Sequence, residues 1–154
     1  MVSAITIAAE LPDQPEIGAF FAASEAYMSA LYPSESNHFV DPAQLAGPST
    51  VFLVARRGRT AVGCGALVNA GDGSAEIKRM WVDPSARRER IGQRLLAALI
   101  TAARAGGVAM LHLETGIAQP EAIALYRRAG FVDCGPFGNY RPDPLSVFME
   151  LRLS

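Results

Sequence analysis

The sequence predicts an α/β protein, α+β by some schemes, with one mixed and mostly antiparallel sheet of about seven strands flanked by helices. Three observations predict it. Runs near both ends of the chain and through its middle alternate apolar and polar residues with a period of two, and other segments repeat their apolar residues at helical spacing. At Asp83-Pro84, a strand passes straight into a helix.

In chain order, Val2 to Ala8 reads as an opening strand, and Asp13 with Glu16 reads as a capping box that starts a helix running to about Leu31. The segment YPSESNHFVDPAQLAGPS is rich in turn formers; Asp41 as N-cap, Pro42 and Gly47 mark one short helix in what otherwise reads as a functional loop. Thr50 to Arg56, Thr60 to Ala70 and Ser74 to Val82 form an antiparallel meander, turning at Arg57-Gly58-Arg59 and Gly71-Asp72-Gly73. From about Ala86, Ile91, Leu95, Ala98, Leu99 and Ala102 make a helical stripe that Gly106-Gly107 stops. Val108 to Glu114 is a strand, Pro120 to Ala129 a helix closed by Gly130, and Phe131 to Cys134 a strand, with Phe131 in the core. Leu145, Val147, Met149, Leu151 and Leu153 alternate with polar or outward positions as a final half-buried strand. The absence of repeats and linkers makes residues 1–154 one domain, with both ends in one sheet.

Composition narrows the function. Half the residues are apolar and 19% are charged, and no apolar run reaches the roughly 20 residues that span a bilayer. Met1 to Glu10 lack a secretory signal, so the expected location is cytoplasmic and no membrane partner is expected. Cys64 and Cys134 stand far apart, with only His38 and His112 to join them; both cysteines read as small buried residues, and no metal is expected. A net charge of -1 argues against a nucleic-acid partner. Yet Lys78, Arg79, Arg87, Arg88, Arg90 and Arg94 concentrate six of the 14 basic residues in one short stretch, where an anionic ligand is to be sought.

That stretch, MWVDPSARRERIGQRLL, is the sharpest signal in the chain. A strand ends and a helix begins, and the first helical turn is read as holding Arg87, Arg88, Arg90 and Gly92. Unpaired N–H groups and the helix dipole attract phosphate there, and arginines placed against the dipole are costly unless an anion offsets them. A Rossmann fingerprint needs three spaced glycines and finds one.

The run Arg87-Arg88-Glu89-Arg90-Ile91-Gly92, followed by Gln93, resembles motif A of the GNAT superfamily of acyl-CoA-dependent N-acetyltransferases, the loop that holds the CoA pyrophosphate. AIALYRRAGF resembles the same family's motif B, and the order of elements matches from first strand to last. The motif's first glycine is Arg90 here, which would demand an ordinary helical backbone with negative φ at that site. The resemblance implies a GNAT-like fold and acetyl-CoA as co-substrate, with transfer by direct attack to a primary amine of a small molecule or peptide. It implies that Met80, Trp81 and Val82 pair with the pantetheine arm, that Gln119 stands where the family often has asparagine, and that Tyr126 protonates the leaving thiolate. A homodimer is possible within the family.

Attack on a thioester needs a neutral amine, and deprotonating a lysine-like ammonium at pH 7 costs about 4.6 kcal/mol, so a base is valuable. Glu76 is the leading candidate, sharing a strand face with Lys78, Met80 and Val82 by alternation and standing six residues before Val82. Glu114 is the next candidate and His38 the third. A phenol near pKa 10 protonating a thiolate near 8.5 is uphill by about 2 kcal/mol. On the acceptor side, Glu25, Glu35 and Asp41 could attract a cation, Tyr32, Phe137 and Tyr140 could wall it, and Arg79 or Arg141 could hold a carboxylate. Two other readings share the basic turn: a catalytically silent acetyl-CoA sensor, and a nucleotide- or nucleic-acid-binding domain.

Overall fold

The computed structural model describes residues 4–36 and 42–154. His38 and Asp41 lie outside them. The strands are β1 (Ile5–Ala9), β2 (Thr50–Arg57), β3 (Thr60–Asn69), β4 (Ser74–Val82), β5 (Met110–Gly116), β6 (Val132–Cys134) and β7 (Ser146–Arg152). The helices are α1 (Pro15–Leu31), α2 (Ile91–Ala105) and α3 (Pro120–Arg128). One sheet of seven strands runs in the order β1-β2-β3-β4-β5-β7-β6. Among the described residues only β4 and β5 pair in parallel; the other pairings are antiparallel.

Each face of the sheet carries a core. Ile91, Leu95 and Leu99 of α2 pack on Val62, Ile77 and Leu113, joined by Tyr126 of α3 and by Phe131. On the other face Ile17, Phe20 and Phe21 of α1 pack with Phe52, Val54 and Cys64. Cys64 is fully buried, which pushes its thiol up to about 12 and makes it inert, as the sequence suggests, whereas Cys134 is only half-buried. Among the described residues no group of three or more His, Cys, Asp or Glu is placed to hold a metal, and no helix is long and apolar enough to cross a membrane.

Three local expectations change. The Asp13/Glu16 capping box does not form: Gln14 is the N-cap, without a side-chain cap bond, and Pro15 fills the first turn, where a missing N–H is harmless. Glu16 instead accepts from Ala61 N (3.0 Å) and Arg56 Nη1 (3.0 Å), tying α1 to the β2–β3 hairpin. β7 is covered on both sides, because Phe137 and Tyr140 of the preceding loop meet the Phe148 ring edge-on. The third change lies in β4. Trp81 faces Cys64 and Lys78 faces Ala66, so Arg79 and Met80 together oppose Gly65, and Arg79 takes φ 57. This bulge adds a residue and breaks the alternation. Met80 and Val82 therefore join the α2 face with Ile77, while Trp81 packs toward α1. Glu76 does not share its face with Met80 and Val82.

Candidate active site

The bulge opens the sheet. β4 and β5 are paired only from Ser74↔Met110 to Ile77↔Leu113, whereas β5 stays with β7 as far as Gly116↔Ser146. Beyond Ile77 the strands part, leaving the edge of β4 from Lys78 to Val82 unpaired on the β5 side. Asp83 N donates to Val62 O of β3 (2.8 Å), so by alternation Met80 and Val82 present backbone groups to the opening and Trp81 turns toward β3. A cavity of about 150 Å³ fills the gap, reached by Met28 of α1, Tyr32 that caps its C-terminus, Glu76 and Lys78 of β4, Glu114 of β5 and Tyr126 of α3.

The basic turn stands at the outer end of β4. Pro84–Ala86 form a short 3-10 turn, and α2 begins only at Ile91, so Arg87, Arg88, Glu89 and Arg90 precede the helix rather than forming its first turn. The first backbone bond of the helix runs from Arg94 N to Arg90 O (3.1 Å), leaving Ile91, Gly92 and Gln93 N–H without a backbone acceptor among the described residues. Arg90 adopts φ 59 and ψ 26. The expectation of negative φ there is overturned: the arginine takes the left-handed conformation that glycine adopts without strain, so the turn keeps the shape a glycine would give it.

The basic residues have different partners. Arg94 donates to Ile5 O, Arg79 pairs with Glu25, and Lys78 pairs with Glu76. Glu89 is held by Arg57. Arg87 donates to Val82 O (3.0 Å) with its guanidinium 4.8 Å from the Trp81 ring centre. Arg88 and Arg90 project into solvent and make no ion pair or side-chain hydrogen bond among the described residues. The residues present fit a phosphorylated ligand: three open N–H groups at a helix N-terminus, two exposed arginines beside them, and an unpaired strand edge leading inward.

Inside the cleft two carboxylates lie on one face of neighbouring strands. Glu76 is opposite His112, and Glu114 is one pleat further along β5. Glu76 Oε2 accepts from Tyr140 Oη (2.5 Å) and from Lys78 Nζ (3.1 Å), and Lys78 also donates to Tyr140 Oη (2.7 Å). Glu114 accepts from the Ser146 hydroxyl (2.9 Å) and has no ion-pair partner among the described residues. Burial pushes its carboxyl up to about 7, against a smaller lowering by the Ser146 hydrogen bond. Tyr126 is buried, its ring edge-on to Phe131, and burial followed by the charge of Glu114 pushes its phenol up to about 12. Proton transfer from it to a thiolate whose conjugate thiol has a pKa near 8.5 is thus uphill by about 5 kcal/mol, steeper than the sequence implies.

Gln119 is held in place. Its Oε1 accepts from Gly116 N (3.2 Å) and Tyr32 Oη (3.3 Å), and Tyr32 Oη in turn accepts from Ala118 N (3.1 Å). A Cβ on Gly116 would lie 1.9 Å from Tyr32 Oη, so the end of β5 admits only glycine under that ring. The sequence pointed to Tyr32 and Tyr140 as walls but missed what they hold. Nothing in it signalled the Ser146–Glu114 bond, which joins neighbouring strands that lie far apart in the sequence.

The model of the acetyltransferase (GNAT) family matches residues 18–131. The chain belongs to the GNAT family. An IAA acetyltransferase of Azospirillum brasilense is 51% identical to this GNAT chain over 150 residues, covering 97% of this chain and 98% of that one. A solved Klebsiella pneumoniae structure assigned as an acyl-CoA N-acyltransferase is 40% identical, with a TM-score of 0.82 over 97% of this chain and 98% of its own. The PaiA N-acetyltransferase of Thermoplasma acidophilum, solved with coenzyme A, shares the fold at a TM-score of 0.76 and 17% identity, covering 97% of this chain and 99% of its own. This GNAT protein is an N-acetyltransferase that moves the acetyl group of acetyl-CoA to an amine.

Proposed function

We propose that residues 1–154 form one catalytic domain that acetylates a primary amine of a small molecule or peptide in the β4–β5 cleft, with Glu114 as general base and Tyr126 as proton donor to the leaving thiolate. The observation that carries the base assignment is the contrast between the two carboxylates. Glu76 is engaged by the Lys78 ammonium and the Tyr140 hydroxyl, whereas Glu114 makes no ion pair among the described residues, feels Lys78 only from a distance, and is held near 7. Raising a carboxylate from about 4.5 to about 7 narrows its gap to an ammonium near 10.4 by about 3 kcal/mol. Glu76 then acts on Glu114 through its charge and positions Lys78 and Tyr140.

Acetyl-CoA supplies an activated thioester. Ile91, Gly92 and Gln93 N–H with Arg87, Arg88 and Arg90 would hold its pyrophosphate, Glu89 keeping the turn tied to Arg57. Met80 and Val82 would pair with the pantetheine arm, Trp81 would back the strand, and one of their N–H groups would polarise the thioester carbonyl. Gln119 would meet the arm through its amide nitrogen, since its oxygen is taken by Tyr32 and Gly116 N.

The test is thiol release from acetyl-CoA with a panel of primary amines. Tyr126→Phe is expected to lower kcat at least about tenfold with little change in acetyl-CoA affinity, the signature of a group acting mainly in the transition state. Unchanged turnover would remove Tyr126 from the mechanism.

A further inference from the structure

The acid-base inventory of the cleft bears on what the acceptor can be. Its basic side chains are each matched to an acid. Lys78 Nζ lies 3.1 Å from Glu76 Oε2 and 2.7 Å from Tyr140 Oη. Arg79 Nη2 lies 2.7 Å from Glu25 Oε2, with the guanidinium 4.2 Å from the Phe21 ring centre and the side chain only 5% exposed. Glu114 is the odd acid, bonded to a neutral hydroxyl and paired with no cation among the described residues. The remaining wall is mixed: Met28, Ala122 and Leu145 alternate with Ser24, Thr115 and Gln119.

We infer that the acceptor is a monocationic amine and not an α-amino acid or other zwitterion; this rests on the reading of Glu114 as the base of the cleft. An ammonium entering beside Glu114 completes the missing pair and delivers its proton where the base stands. A carboxylate on the adjacent carbon would enter the same pocket, close to Glu114 and Glu76, where like charges repel in a medium that screens weakly. To hold it, Lys78 would have to leave Glu76 and strand a half-buried acid.

Calorimetric titration of CoA-saturated protein tests this with pairs that differ only by the carboxylate: butylamine and norvaline, phenethylamine and phenylalanine, tyramine and tyrosine. Each amine is expected to bind at least about tenfold more tightly than its amino acid, and phenylalaninamide, as large as phenylalanine but without the negative charge, is expected to regain most of the difference. In Glu114→Gln the preference should fall to within about threefold. Equal or tighter binding of the amino acids, an amide as weak as the acid, or binding of neither member of any pair overturns the inference. Stabilisation of the protein by acetyl-CoA, read separately as a thermal shift, distinguishes these results from failure of the donor site, which would defeat the parent reading and this inference with it.

Discussion

Arg90 shows how a single residue can depart from a motif while the backbone preserves it. At φ 59 it carries the left-handed strain of an L-residue, about 1–2 kcal/mol, in a turn followed by three N–H groups without a backbone acceptor among the described residues. Arg90→Gly relieves that strain against about 0.5–1 kcal/mol of added chain entropy, so the thermal midpoint should hold or rise by up to about 4 °C. Arg90→Val places a β-branched side chain in the same conformation and should lower it by several degrees. A marked fall with glycine would show that the guanidinium, not the backbone, maintains the turn. The sequence could identify the position but not its φ, because arginine is rarely left-handed and nothing local demands that it be so.

At the scale of elements the bulge in β4 and the end of β5 shape the cleft. Period-two reading located β4 to the residue but placed Glu76 on the wrong face relative to Met80, since the extra residue at Arg79 has no signature in composition. Helix α1 closes the other side through Tyr32, whose ring lies over Gly116 and whose hydroxyl bonds Ala118 N and Gln119. Gly116→Ala should drive that ring out, costing about 2–4 kcal/mol through overpacking and a lost hydrogen bond, and lowering the midpoint by about 5–10 °C in a melting experiment. Combining it with Tyr32→Ala should cost less than the two single changes added together, because the clash is then gone. Additive losses would mean that the ring and the strand end do not act as one unit.

Over the whole molecule, the fold was legible because its elements are locally consistent: the meander, the α2 stripe and the alternation of β7 each follow from their own residues. The basic turn and the two family motifs were legible for the same reason, since they lie within short continuous stretches. The acid-base half was less so. Glu114, Ser146, Tyr140 and Lys78 come together only when β5 pairs with β7 and the preceding loop folds back, contacts that no single segment encodes. The most direct measurement is therefore the pH profile of kcat/KM for acetylation of a simple amine, compared between the native enzyme and Glu114→Gln. Glu114 is effective when ionised, so native activity should fall about tenfold per unit below a pKa near 7. In the variant that limb should vanish and the remaining activity should rise only toward the amine's own pKa. An unchanged limb near 7 in Glu114→Gln would contradict the assignment of Glu114 as the base of the cleft.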